Sequence, residues 1–217
     1  MEKILLVSKN TSFSEKLFLK LRDQKDHNIF WENDLEKISD INPDLIVIFH
    51  WPNIISKTIY TKFKCITVHT GNLPDDRGGS PIQNQILRGK KFSKVNLIEV
   101  SDPVDSGRIY CSKEISLQGS LDDIWNVITE STIILLNDFL NKKMDPIPQQ
   151  GKPQSFKRKT DNKIQFNNIE SIYDQIRMLD GEGYPKSFIE VEGFRFEFRN
   201  SRLNNNEIEA LVRIKKI

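Results

Sequence analysis

The sequence predicts an α/β protein: a mostly parallel sheet layered with helices, followed by a small C-terminal extension of one helix and a β-hairpin. Three observations lead there. Short apolar, β-branched runs at residues 3–7, 45–49 and 66–68 have the length and composition of strands buried on both faces. Stretches with helical apolar spacing alternate with them, the longest at 121–141. Beyond a polar, basic segment at 149–162 the spacing changes to period two around Gly193, as in antiparallel strands. The expected division is a main domain over 1–148 and a linker with a β-rich extension over 149–217.

The first strand, 3–7, is followed by Ser8-Lys9-Asn10-Thr11. That turn has neither the glycines of a dinucleotide loop nor the Gly-Lys-Ser/Thr of a phosphate loop. Phe13, Leu17, Leu19 and Leu21 mark the first helix. A second strand at 28–31 and a short helix at 34–41 follow, the helix stopped by Asn42-Pro43. Residues 44–50 form a strand that ends in the loop His50-Trp51-Pro52-Asn53, and Ser56 caps a helix over 57–63. The run 66–68 delivers His69 into a turn-rich loop, and Ser80-Pro81 opens the next helix. Strand 95–100 leads to the polar turn Asp105-Ser106-Gly107, and a strand at 108–115 follows. Ser120 and Asp123 have the spacing of a capping box ahead of the longest helix. Residues 149–162 read as a linker over the surface, 169–179 as a helix, 187–192 and 194–199 as a hairpin, and 207–216 as a last strand.

A chain of 217 residues can hold one well-buried domain and an appendage. The formal net charge of +2 argues against bulk nucleic acid as the main partner and leaves a local basic patch open, and no nucleic-acid partner is expected. The two cysteines make no disulfide framework, neither has a spaced partner for zinc, and no metal is expected. The N-terminal apolar run is too short for a signal peptide, and none approaches a membrane span. These features imply a cytoplasmic protein with no membrane partner. The β-rich tail offers a pairing surface for a homodimer.

Ligands in open α/β sheets bind beyond the carboxyl ends of the strands. His69 and Asp105 each follow such an end. In order along the chain come His69, Leu73-Pro74, Arg77-Gly78, Ser80-Pro81 and Asp105-Ser106-Gly107. This order resembles the formyltransferase family that uses 10-formyltetrahydrofolate, whose pattern is Asn-x-His, Leu-Pro, Arg-Gly, a proline-started helix and Asp-x-Gly. The resemblance implies a Rossmann-like formyltransferase domain with folate as formyl donor. The Gly-Gly-Ser-Pro helix start, the Gln83-Asn84 pair and the phrase over 175–190 are similar to the sugar N-formyltransferase branch. That branch implies a nucleotide-linked amino sugar as acceptor, for surface polysaccharide. A tail of about sixty residues looks too short for the tRNA-holding barrel of methionyl-tRNA formyltransferases.

Formyl transfer to an amine is acyl transfer, so it needs an oxyanion donor, a proton shuttle and a group to orient the shuttle. By the resemblance, His69 serves the oxyanion and leaving nitrogen, and Asp105 holds the imidazole. Trp51, Ile54, Ile55, Val100 and Asp102 are placed at the folate, and Arg77, Gly78, Gly79, Ser80, Asn84 and Tyr184 at the acceptor. One position departs from the pattern: Thr67 stands where the family has Asn. Three outcomes are open. Thr67 serves directly or through water, Asn72 or Asn96 takes the role, or the protein is slow or inactive. Two rival functions stand beside the sugar reading: a non-catalytic sugar-nucleotide or folate binder, and a formyltransferase acting on another amine.

Overall fold

The computed structural model describes residues 1–23 and 26–217. Strand β1 (Lys3–Ser8) is followed by α1 (Ser12–Arg22), β2 (Asn28–Glu32), α2 (Ile38–Ile41), β3 (Leu45–Phe49), α3 (Lys57–Tyr60) and β4 (Lys64–Thr70). The two-residue strand β5 (Arg77–Gly78), α4 (Pro81–Leu87), β6 (Phe92–Glu99), β7 (Ile109–Ser116) and α5 (Leu121–Asn141) come next. The tail holds β8 (Ser155–Phe156), α6 (Ile169–Arg177), β9 (Phe188–Val191), β10 (Phe194–Asn204) and β11 (Glu207–Lys216).

A six-stranded sheet of order β2-β1-β3-β4-β6-β7 is the centre of the molecule. The first four strands are parallel, and β6 and β7 add antiparallel. The apolar runs are the reason: Leu5, Val7, Ile46 and Ile48 face one core, and Ile4, Leu6, Val47 and Phe49 the other. The larger core is closed by α1, α4 and α5, the smaller by α2 and α3. Ser120 and Asp123 form the expected capping box at the start of α5. No helix among the described residues is long and apolar enough to cross a membrane.

Several elements differ from expectation. The helices foreseen at 34–41 and 57–63 shrink to a single turn each. β10 runs on to Asn204 where the hairpin was expected to stop at 199, because a register shift between Arg199 and Arg202 absorbs a left-handed Asn200. The segment at 149–162 lies over the surface with no buried residue, and it adds a pairing the sequence did not predict. Its β8 pairs in parallel with β5, binding the loop after β4 to the tail. Gly78 has φ +96, and a Cβ there would lie 2.3 Å from the Phe156 carbonyl oxygen, so only glycine permits the crossing.

Candidate active site

β4 carries His69 to the edge of a cavity of about 820 Å³ at the carboxyl end of the sheet. The ring is only 6% exposed. Its Nδ1 lies 3.3 Å from Asp105 Oδ1, and its Nε2 donates to the Asp76 carbonyl at 2.7 Å. Two acceptors on two ring nitrogens suit a doubly protonated imidazole. Burial opposes that charge, but the hydrogen bond and charge of Asp105, with the Asp76 carbonyl, outweigh it, so His69 titrates above its ordinary value. Asp105 mirrors it. Burial works against its ionisation, yet His69, the Gly78 N–H and the Arg77 charge hold its carboxyl below the usual range.

The turn holding Asp105 is set by the backbone. Asp105 is left-handed, with φ 59, and its Oδ2 accepts from the Gly78 N–H at 3.0 Å. Two residues on, a Cβ at Gly107 would meet the Glu99 carbonyl oxygen at 1.9 Å, so the chain can press this turn onto β6 only through a glycine. Gln149 donates through Nε2 to the carbonyls of Asp105 and Gly107, both at 2.8 Å. Its Oε1 accepts from Arg77 Nε and Nη2 at 3.0 and 2.7 Å.

The loop before β5 is anchored by Asp76, which is 1% exposed. Its carboxylate accepts from the Asn72 N–H at 2.8 Å and from Lys90 Nζ at 2.9 Å, and it pairs with Arg88. Burial resists its ionisation, but the Lys90 and Arg88 contacts prevail and lower its pKa. The ion pairs thus fix the backbone whose carbonyl receives His69.

Thr67 and His69 both line the cavity, as same-face neighbours on one strand should. The Thr67 hydroxyl is 3.5 Å from the Ile48 carbonyl oxygen, a long contact that leaves it able to turn. Asn96 cannot replace the absent family Asn. It is buried opposite His69, its Nδ2 donates to the carbonyls of His69 and Gly71 at 3.1 and 2.8 Å, and its Oδ1 accepts from Ser112 Oγ at 2.6 Å. Asn72 lies outside the lining.

Of the residues expected at ligands, Trp51, Ile54, Ile55, Val100, Gly78, Gly79, Ser80 and Tyr184 line the cavity, and Arg77, Asn84 and Asp102 do not. The Arg77 guanidinium ends on Gln149, while Asn84 Nδ2 is spent on the Gly79 carbonyl at 2.9 Å. Asp102 is turned to solvent. Ser80 sits at the start of α4, but left-handed, with φ 49, and its hydroxyl accepts from the Lys159 N–H at 3.1 Å instead of capping the helix.

Among the lining residues that sequence reasoning did not place at the site are His50, Trp125, Arg158 and Lys159. His50 is left-handed, with φ 48, its ring centroid 4.1 Å from Trp125 and 6.1 Å from Tyr184. Burial, helped by the Lys9 charge, pushes its pKa down to about 4, so it is neutral at neutral pH. His50 Nδ1 and Trp51 Nε1 are buried with no protein partner, which leaves two polar ring atoms for a ligand. The signal was position: His50 follows β3 as His69 closes β4.

A family model described as formyl transferase matches residues 8–128, and one described as the C-terminal domain of methionyl-tRNA formyltransferase matches 155–215. The methionyl-tRNA formyltransferase of Sulfurihydrogenibium sp. is 28% identical over 190 residues, 82% of this chain and 60% of its own length. The chain thus spans about three fifths of that curated relative. A solved methionyl-tRNA formyltransferase from Clostridium thermocellum superposes over all of both chains, with TM-score 0.95 and 30% identity. HypX from Aquifex aeolicus, solved in complex with tetrahydrofolic acid, shares the fold at 20% identity and TM-score 0.75, over 93% of this chain and 38% of its own.

These matches overturn the sugar branch and its nucleotide-linked amino sugar. They equally overturn the expectation of no nucleic-acid partner, since the similar proteins are named for methionyl-tRNA. The tail taken as too short for a tRNA enzyme is itself the segment that matches the C-terminal domain of one. With more than half of the chain inside the catalytic family's own model and its His and Asp brought together in one cavity, this chain belongs to the formyl transferase family.

Proposed function

We propose that the chain transfers a formyl group from 10-formyltetrahydrofolate to the amine of methionyl-tRNA, in the cytoplasm. The observation that carries this reading is the His69–Asp105 pair at the cavity wall, in a chain that aligns end to end with a solved methionyl-tRNA formyltransferase. The cavity fits a folate: about 820 Å³, with Trp51, Ile54, Ile55 and Val100 as an apolar wall and an unpartnered Trp51 N–H for a ring heteroatom. When bound, 10-formyltetrahydrofolate supplies the formyl group. His69, held as a cation by Asp105 and the Asp76 carbonyl, sets positive charge where the carbonyl oxygen becomes negative. The Thr67 hydroxyl adds one hydrogen-bond donor beside it. Asp105 takes the proton that the attacking amine loses, and the pair returns it to the departing nitrogen. Arg158 and Lys159, at the cavity wall, suit the phosphates of a tRNA acceptor end.

The test is formylation of charged tRNA with 10-formyltetrahydrofolate as donor, against uncharged tRNA and free methionine. Formyl-methionyl-tRNA is the expected product. Turnover on free methionine equal to that on charged tRNA would sink the tRNA reading and leave the formyl transfer standing.

A further inference from the structure

We propose that residues 154–159 position the reacting pair as well as border the acceptor, with Phe156 as the positioning residue. The proposal rests on the reading of His69 and Asp105 as the groups that carry the transfer. Residues 151–160 are all exposed except Phe156 and Lys159, and Phe156 is the only large apolar side chain among them. A polar, exposed segment buries too little of its own to offset the entropy of being ordered. What orders this one is its contact with a single stretch of chain, residues 77–88.

That contact is continuous. The Arg77 N–H donates to the Gln154 carbonyl at 3.1 Å, and the Gly79 N–H to the Phe156 carbonyl at 2.9 Å. Asn84 Nδ2 donates to the Lys157 carbonyl at 3.3 Å, and the Lys159 N–H to Ser80 Oγ at 3.1 Å. In their midst the guanidinium carbon of Arg88, at the end of α4, lies 4.0 Å from the centre of the Phe156 ring. A guanidinium at that distance from an aromatic face is attracted to it. Arg88 Nε donates to the Asn84 carbonyl at 3.0 Å, which aims the group.

Through these contacts the segment reaches each member of the pair by a short route. Gly78, opposite Phe156 in the β5–β8 pairing, donates its N–H to Asp105 Oδ2 at 3.0 Å. Arg88, against the Phe156 ring, pairs with the Asp76 carboxylate, and the carbonyl of Asp76 accepts from His69 Nε2 at 2.7 Å. Lys90 is the second cation on Asp76, and Arg77 supplies charge beside Asp105. Arg158 and Lys159, just beyond Phe156, line the cavity. An acceptor phosphate held by them keeps Phe156 seated on Arg88, so acceptor binding and the geometry of the pair are linked.

Two measurements on the full chain test this: an NMR titration of the His69 ring, its signal identified by its loss in His69→Asn, and formylation kinetics on charged tRNA. The variants are Phe156→Leu, which keeps apolar bulk without a ring face, Phe156→Tyr, which keeps the face, Arg88→Met, and Phe156→Leu with Arg88→Met. In Phe156→Leu and Arg88→Met the His69 midpoint should fall toward its ordinary value of 6.5, because the Asp76 carbonyl is no longer held against the ring. In both, kcat should fall about tenfold or more, with KM for charged tRNA changed less than about twofold. Phe156→Tyr should match wild type in both measurements. The double variant should fall no further than Arg88→Met alone, since each change removes the same contact. A wild-type His69 midpoint in Phe156→Leu, a raised KM at unchanged kcat, or losses that add in the double variant overturns the proposal. Wild-type kcat in His69→Asn overturns it too, by removing the reading it rests on. If wild type leaves charged tRNA unformylated, the acceptor reading alone fails, and the His69 midpoints decide the positioning role by the same criteria.

Discussion

His69 and Asp105 stabilise one another's charged forms, and this makes two predictions at the scale of single residues. The folded pKa of His69 is raised, so its contribution to stability is full below 6.5 and is lost as pH rises through the folded value. Asp105 is depressed, so its contribution is full above 3.8 and is lost as pH falls through the folded value. The stability difference between wild type and Asp105→Asn, from denaturant titrations, should therefore be largest between pH 3.8 and 6.5 and shrink on either side. In the formylation assay, His69→Asn and Asp105→Asn should each lower kcat by roughly 10²–10⁴-fold with little change in tRNA affinity. His50 has the opposite sign. Its pKa falls from 6.5 to about 4, so stability present above 6.5 is lost on acidification, by roughly 3 kcal/mol once both states are protonated. His50→Phe should lose less stability than wild type between neutral pH and pH 4. The pairing of His69 with Asp105 was legible because each member sits in a dense motif after a strand end. Asp76 was not, because its value lies in a backbone carbonyl and in partners twelve and fourteen residues away.

At the scale of elements, the alternation of apolar runs and helical stripes foretold the six-stranded sheet and its flanking helices, since that signal is local and repeated. The pairing within the segment after α5 was not foreseen because pairing is not local: β8 has no apolar pattern of its own and becomes a strand only against β5. One residue of that segment ties the site together. Gln149 uses its amide on the Asp105 turn and its oxygen on Arg77, so it holds the turn and β5 in one geometry. Gln149→Ala should lower kcat about tenfold or more while costing about 1–3 kcal/mol of stability, the loss of a buried polar partner. Gln149→Glu keeps an acceptor for Arg77 and removes both donors to the turn. If the clamp on Asp105 matters to turnover, Glu should be as slow as Ala, although it melts closer to wild type. Equal kcat in all three proteins would mean that Asp105 is positioned without Gln149. Thr67 belongs to the same sheet end, and Thr67→Val removes its hydroxyl at nearly equal volume. With Asn96 committed elsewhere, that change should slow turnover by roughly 10²-fold, the usual cost of one oxyanion donor.

At the scale of the whole molecule, a net charge near zero concealed a local feature, because an average says nothing of where Arg158 and Lys159 stand relative to a cavity. The tail is also more than an appendage. Met178 and Leu179, just beyond α6, are buried in the larger core with Leu121 and Trp125, and Tyr184 packs against it. Gln83 Nε2 donates to the Met178 carbonyl at 3.1 Å, and Arg177 Nη1 donates to the carbonyls of Leu117 and Gly119 at 2.6 and 2.9 Å. Cutting the chain after 148 would strip two buried apolar side chains from the core and leave the Gln83 amide unpaired. Each lost side chain costs about 2–5 kcal/mol by analogy with truncation to alanine, and the whole margin of a domain is about 5–15 kcal/mol. Residues 1–148 alone should therefore fail to show a cooperative thermal transition. A cut after 187 keeps Met178, Leu179 and Tyr184, and should retain a transition and bind a folate analogue through Trp51 and Ile55, although it loses β9, β10 and β11. Cooperative melting of the 1–148 fragment would mean that the main sheet carries its own complete core, and that the tail serves the substrate alone.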